Sequence, residues 1–271
     1  EVFEHEAFLT PISKNYVLLK LDFPNSEEVK AKVPNPERNA ELSEKYEIAG
    51  FPTILLMNSS GEVFASTGYE QGGPEAYVGH LREIAASGKK TLAAAKEIEK
   101  EYETSKDKEA VVRKAMELLL EADEGAPGRT VFAGVIRNGC SLDPNNESGL
   151  KLECVKALLQ TGQADDDVRG IAVAMDPKNV LGLNEQVVLG KLGTVRDDVT
   201  AGAAVDALLS LQGLGQVHDS KAIQQAALMA ASWCNSERLL NQPERAKQLA
   251  AWAKSLGDIP ENWREMIEGL G

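Results

Sequence analysis

The chain has 271 residues, 43% hydrophobic and 26% charged, which is typical of a globular protein and favours two domains over one. The net charge of −13 is shared by the first 88 residues and the remainder, and it argues against nucleic acid as a partner because phosphates attract basic surfaces. No apolar stretch is long enough to span a bilayer, so we expect no membrane insertion.

The first part of the chain is predicted to mix helices and strands. The apolar side of Glu1–Ile12 predicts the end of a helix, which Pro11 limits. Tyr16–Phe23 is so apolar that we predict a strand buried on both faces. Pro24–Arg38 is polar and contains three prolines, which favours a loop insertion, and Asn39–Tyr46 is predicted to be helical.

Two more strands and a helix follow. Thr53–Asn58 and Glu62–Thr67 flank a turn sequence and are predicted to form an antiparallel hairpin. Gly72–Glu75 opens a helix, because proline suits the first helical position, and this helix is expected to end near Ala86. Ser87–Lys90 is the predicted domain junction, which divides the chain into residues 1–88 and 89–271.

The rest of the chain is helical in pattern. Three stretches carry apolar residues at helical spacing, and none shows the alternation typical of strands. These stretches contain Val111, Val112, Ala115, Leu118, Leu119 and Ala122; Ala201, Ala204, Val205, Leu208 and Leu211; and Ala246, Leu249, Ala250, Ala253 and Leu256. We therefore predict an all-helical domain over residues 89–271.

One sequence pattern occurs twice in this helical part. Leu142–Leu150 matches Met175–Leu183 at a spacing of 33 residues, and both copies contain the sequence Asp-Pro-x-Asn, where x is any residue. Proline cannot continue the preceding helix, and Asn146 or Asn179 can cap the next one. The period resembles that of tetratricopeptide helical hairpins, without their bulky aromatic pattern. A plain helical bundle that uses the same turn twice is the alternative.

Cysteines and histidines give no clear site. The three cysteines, Cys140, Cys154 and Cys234, are odd in number and widely spaced, so we expect buried thiols with a raised pKa. A bridge between Cys140 and Cys154 stays open, because spacing alone does not decide it. The three histidines are scattered without metal-ligand spacing. We predict no metal site and no cofactor.

The run Tyr16–Gln71 resembles the second half of a thioredoxin fold. The resemblance is carried by the apolar Tyr16–Phe23, by Glu44–Ile48, by Ala49–Met57 with its Gly-Phe-Pro-Thr sequence, and by Gly61–Phe64. It implies an α/β thioredoxin-like domain that is incomplete at its N-terminus and lacks its central strand. Either residues before Glu1 or another element would have to fill that place in the sheet, since natural proteins avoid apolar unpaired edges.

The resemblance also implies a function. Pro52 would be the family's cis-proline, and Phe51 the residue whose main chain meets a substrate. The family exchanges thiols and disulfides through a Cys-x-x-Cys motif, which this sequence does not contain. We expect an oxidoreductase if that motif lies upstream of Glu1, and no such activity from this chain alone.

Two functional hypotheses follow from the sequence. The first is a thiol–disulfide exchange protein that acts on a protein thiol or disulfide, with a helical extension for partner recognition. The alternative is a non-catalytic adaptor in which a thioredoxin-like platform carries a helical binding domain. Family habit favours the periplasm or cell envelope of a bacterium, with the cytoplasm as the alternative compartment.

Overall fold

The computed structural model describes residues 2–48 and 50–270, so Glu1, Ala49 and Gly271 of the predicted elements lie outside the described residues. Most of the described chain is helical, and its sheet has two strands. The elements in chain order are α1 Glu6–Ile12, α2 Glu27–Lys30, α3 Pro36–Lys45, β1 Ile54–Met57, β2 Val63–Thr67, α4 Gly73–Thr104, α5 Lys108–Glu121, α6 Gly128–Leu142, α7 Leu150–Gln160, α8 Asp166–Met175, α9 Leu183–Leu192, α10 Asp198–Leu214, α11 Ser220–Asn235, α12 Pro243–Leu256 and α13 Glu261–Gly269.

The chain divides into two compact units. The first unit comprises Glu1–Glu103 and Glu121–Phe132, and the second comprises Thr104–Leu120 and Ala133–Gly271. The first unit therefore holds both strands, and the second is built from helices and turns. The prediction of two domains at 1–88 and 89–271 stays a prediction.

The first unit is organised around the predicted antiparallel hairpin, which the structure confirms. β1 pairs with β2 so that Ile54 lies opposite Thr67 and Leu56 opposite Ala65, with an irregularity after Leu56. Leu56 is buried on β1, and its neighbours in the core come from α1, β2 and α4. The other buried members of this core are Phe8, Ile12, Phe64, Ala65, Tyr77, Val78, Leu81 and Ala85.

The prediction of a buried strand over Tyr16–Phe23 is wrong. The segment has no regular secondary structure, and Val17 and Leu19 are 98% and 78% exposed. An extended segment becomes a strand only when its backbone pairs with a neighbour. Within residues 2–48 and 50–270 the sheet contains β1 and β2 alone, so the segment finds no ladder to join. A thioredoxin-like α/β sheet is therefore not established for this unit.

The helix predicted to end near Ala86 continues to Thr104, and Ser87–Lys90 lies inside it. Gly88 explains the error. In the folded chain this glycine is buried against β2, and a Cβ placed on it would lie 1.8 Å from the carbonyl oxygen of Phe64. Glycine at this point permits a close approach of helix and strand instead of marking a linker.

The beginning of the chain also differs in detail. α1 begins only at Glu6, and the predicted loop insertion Pro24–Arg38 contains α2 and the start of α3. α3 begins at Pro36, three residues before the predicted start at Asn39. Proline is favoured at the first helical position because its missing N–H has no partner there in any helix.

The prediction that residues 89–271 form helices and no strand is confirmed for the residues up to 270 that the structure describes. The apolar pattern of α10 is buried throughout, and those of α5 and α12 are buried at most positions. In the second unit, α9 to α13 share one apolar core. The sequence pattern thus identifies the inward faces of these helices.

The two Asp-Pro sequences form the same turn twice, as the repeat predicted. α6 ends just before Asp143 and α8 just before Asp176, and both aspartates are buried. Each carboxylate accepts hydrogen bonds from the same three positions of its turn. The donors are the backbone amides of Glu147, Ser148 and Leu150 in the first copy, and of Val180, Leu181 and Leu183 in the second. Leu150 and Leu183 begin the next helices and are both buried.

An asparagine closes each turn onto the following helix. Asn146 and Asn179 both have φ of +56°, a left-handed conformation that asparagine tolerates better than most residues. Their side chains accept from the amides of Leu152 and Glu185, respectively, which are orphan donors of the first helical turn. The region is therefore repeat-like, whereas its assignment as a tetratricopeptide stays a proposal.

The second copy also makes hydrogen bonds to a distant part of the chain. The amide group of Asn179 is fully buried and donates to the carbonyl oxygen of Gln216 at 3.0 Å. Glu185, also buried, accepts from the backbone amides of His218 and Asp219 at 2.8 and 2.7 Å. These bonds join the second turn to the start of α11.

Candidate functional site

The Phe51–Pro52 loop lies directly before β1. Its Phe51–Pro52 peptide bond is cis, and both residues are exposed. Phe51 is 65% exposed, although a large apolar side chain is normally removed from water. The hydroxyl of Thr53 donates to the carbonyl oxygen of Gly50 at 2.7 Å and closes the loop. That this loop faces a substrate stays a prediction.

The end of β2 and helix α4 support the loop from behind. A Cβ placed on Gly68 would lie 3.3 Å from the carbonyl oxygen of Pro52, so the two backbones are close together. The hydroxyl of Tyr77 on α4 donates to the carbonyl oxygen of Gly68 at 2.6 Å. Thr67 and His80 are hydrogen-bonded at 2.8 Å between Oγ1 and Nε2. Burial raises the pKa of Tyr77, which therefore keeps its donating proton at neutral pH.

Phe23 belongs to the loop surface, although its sequence context predicted a buried strand. Its ring stacks on that of Phe51, with centroids 4.8 Å apart and an interplanar angle of 25°. Such a pair is more favourable than its buried area alone would give. The apolar Val17 and Leu19, predicted as core, are exposed on the segment that leads to Phe23. The unit therefore presents aromatic and aliphatic side chains to solvent.

No thiol accompanies this loop in the sequence, because the first cysteine of the chain is Cys140. Cys140, Cys154 and Cys234 are all unpaired thiols, and all three are buried in the second unit, as predicted. Burial raises the pKa of Cys234. This thiol is thus protonated at neutral pH and a poor nucleophile.

The structure brings Cys140 and Cys154 together, which the sequence left undecided. Sγ of Cys154 lies beside Gly139, the residue that precedes Cys140, and each thiol shifts the pKa of the other. The hydrogen bond from Cys154 lowers the pKa of Cys140, whereas the same bond and burial raise the pKa of Cys154. Burial acts to raise the pKa of all three thiols, as predicted, but at Cys140 the neighbouring Cys154 outweighs it and the pKa is lowered.

Metal-binding clusters and membrane-spanning helices are both absent from residues 2–48 and 50–270. No cluster of three or more His, Cys, Asp or Glu side chains in this part of the chain could hold a metal ion. No helix there is sufficiently long and apolar to cross a membrane.

One curated protein with significant similarity is a disulfide bond reductase, DsbH, of Chlamydia pneumoniae. The two sequences are 33% identical over 67 residues, which is 24% of this chain and 38% of the relative. The chain thus matches well under half the length of that relative. No protein-family model matches the chain, and no solved structure matches it significantly.

Proposed function

We propose that this chain acts in thiol–disulfide exchange as a thioredoxin-like protein, with the Phe51–Pro52 loop facing a protein thiol or disulfide. The similarity to a disulfide bond reductase carries this proposal. The exposure of Phe51 and the stacked Phe23 support it, because exposed aromatic side chains are typical of surfaces that bind polypeptides.

The loop contributes binding rather than the chemical step. Exchange requires an attacking thiolate, and residues 1–139 contain no cysteine. Phe51 would pack on an apolar side chain of the substrate, while the exposed backbone beside it would pair with the extended substrate chain. Tyr77, through Gly68, holds the loop in position for that contact. The repeat-like helices of the second unit would bind a further protein partner, and the compartment we favour is the bacterial cell envelope.

Photo-crosslinking tests the proposed contact. The photoreactive residue p-benzoylphenylalanine replaces Phe51, and the reduced B chain of insulin serves as an unfolded, cysteine-containing probe. We expect a crosslink from position 51. The matched control carries the same photoreactive residue in place of Val199, an exposed apolar residue of the second unit. Equal crosslinking from both positions would reject a specific role for the loop.

The alternative function is a non-catalytic adaptor, with which the placement of the cysteines agrees. All three are buried, and none belongs to the first unit. Alkylation of the probe cysteines separates the two functions. An exchange protein should crosslink the alkylated B chain less efficiently than the reduced one, whereas an adaptor should not distinguish them.

Under either function, this chain alone should not accelerate the reduction of insulin by dithiothreitol. Catalytic turnover needs an accessible attacking thiolate, and the thiols here are buried. The assay compares aggregation of the reduced insulin with and without the chain. Turnover that disappears in the Cys140→Ser variant would contradict this expectation.

A further inference from the structure

The second unit contains two thiols in contact. Cys140 lies in the last turn of α6, and Cys154 lies in the second turn of α7. Their exposed fractions are 6% and 0%, and Sγ of Cys154 lies beside Gly139, the residue that precedes Cys140 in the chain. Both are reduced and unpaired as disulfides in this structure.

The backbone around the pair is built for a close approach. Asp143 ties the turn that joins α6 to α7 and so fixes how α7 begins. At Gly139 the helices come so near that an added Cβ would lie 2.8 Å from Sγ of Cys154 and 2.6 Å from Cγ1 of Val112. A side chain at position 139 would therefore displace Cys154. Glycine leaves the sulfur free to sit beside Cys140.

The two thiols are electrostatically unequal. Cys154 donates a hydrogen bond that lowers the pKa of Cys140, and Lys151 and Arg137 add positive charge near this sulfur. That bond raises the pKa of Cys154, with burial and the negative charge of Glu153 acting in the same direction. Cys140 is also the more exposed of the two thiols, so it is the one placed to meet a reactant first.

We propose that Cys140 and Cys154 form a redox-active dithiol that closes to an intramolecular disulfide when it meets a small disulfide such as oxidised glutathione. The inference rests on the position of the Cys154 sulfur beside Gly139, next to Cys140, and is independent of the proposed role of the Phe51–Pro52 loop.

The reaction has two exchange steps that balance. The thiolate of Cys140 attacks one sulfur of oxidised glutathione, forms a mixed disulfide and releases one glutathione thiolate. Cys154 then loses its proton to solvent and attacks Sγ of Cys140, which releases the second glutathione. The protein loses two electrons and two protons in total, and glutathione disulfide is reduced to two thiols. No other oxidant is required.

Burial selects the reactant. The small exposed fraction of Cys140 leaves a path for a small disulfide during local opening, while a folded protein disulfide cannot reach the sulfur. The site would therefore respond to the redox state of small thiols and would not turn over insulin. Cys234, which is buried without a neighbouring thiol, provides an internal reference.

Peptide mapping by mass spectrometry tests the proposal on the intact, folded chain. The protein is incubated with oxidised glutathione, and remaining thiols are alkylated under denaturing conditions. We expect a Cys140–Cys154 crosslink, seen as the loss of two hydrogen masses, which forms at least about tenfold faster than any modification of Cys234. Modification of all three cysteines at one rate would show that reaction follows global unfolding and would overturn the proposal.

Single variants assign the roles of the two sulfurs. Cys154→Ala should trap glutathione on Cys140, because no resolving thiol remains, and Cys140→Ala should leave Cys154 unmodified. Cys234→Ala is the matched control and should retain the crosslink. Glutathione on Cys154 in place of Cys140, or no crosslink in the wild-type chain, would contradict the inference. Since the main measurement uses the wild-type chain, a variant that fails to fold does not prevent a decision.

Discussion

The two units hold their non-helical segments by different means. In the first unit the hairpin lies against α4 where Gly88 meets the backbone of Phe64, and Tyr16–Phe23 pairs with no strand and exposes residues 17–20. In the second unit Asp143 and Asp176 tie each turn through hydrogen bonds to its own backbone. The difference shows that a short polar residue can specify structure within eight residues, whereas an apolar segment needs a partner from elsewhere.

The largest loss of stability should come from a side chain added where α4 packs against the hairpin. Gly88→Ala places a methyl group on the backbone of Phe64, which cannot move aside as a side chain could. We expect a loss of about 3 kcal/mol or more in the free energy of unfolding, at or above the upper end for overpacked sites. Gly79→Ala in the same helix meets nothing within 4 Å and should be neutral or stabilising by up to about 1 kcal/mol. Urea unfolding measures both variants.

This prediction also tests the continuous helix. If α4 instead ended near Ala86, position 88 would lie in a loop and alanine there would change stability little. A small and similar effect of Gly88→Ala and Gly79→Ala would therefore contradict the packing of α4 on β2.

The two turns offer an internal comparison of intermediate size. Asn146→Ala and Asn179→Ala share the cost of placing alanine at positive φ, about 1–2 kcal/mol. Asn179→Ala also removes the hydrogen bond from the fully buried Asn179 side chain to the carbonyl oxygen of Gln216. It should therefore cost more than Asn146→Ala by about 0.5–1.5 kcal/mol, the net contribution of one hydrogen bond. Equal losses in thermal or urea unfolding would show that the bond to Gln216 adds no stability.

The two Asp-Pro turns show which part of the fold could be predicted from the sequence. The proline that follows Asp143 or Asp176 ends a helix, and the asparagine two residues after that proline caps the next helix, so all the causes lie within the motif. The exposure of Tyr16–Phe23 could not be predicted, because its apolar composition suits a central strand and says nothing about whether a neighbour is present. Gly88 was interpreted as part of a linker for the same reason. A side chain is excluded there by the backbone of Phe64, which lies more than twenty residues away in the sequence.

Each of the two candidate sites could likewise be predicted only in part from the sequence. The Gly-Phe-Pro-Thr sequence pointed to Phe51 and Pro52, whereas Phe23 was missed as part of the same surface. The contact of Cys140 with Cys154 depends on the small size of Gly139 and on the turn at Asp143. The turn was recognisable in the sequence, but the approach of the helices was not. Sequence spacing therefore left the pair undecided.

The smallest effect is expected in the exposed segment. Leu19→Lys replaces a side chain that is 78% exposed, so the free energy of unfolding should change by no more than about 0.5 kcal/mol. Leu56→Ala, at a buried position of β1, is the reference and should cost about 2–5 kcal/mol. A loss at Leu19 comparable to that at Leu56 would return the segment to the core, as the sequence first suggested.

Hydrogen–deuterium exchange with and without the reduced B chain of insulin tests the functional account most directly. Peptides that contain Phe51 and Phe23 should become protected when the probe binds, because an extended substrate would cover this loop and pair with its backbone. The turns at Asp143 and Asp176 should not change. Protection confined to those turns, or absent from the whole chain at saturating probe, would contradict the assignment of the Phe51–Pro52 loop as the substrate-facing surface.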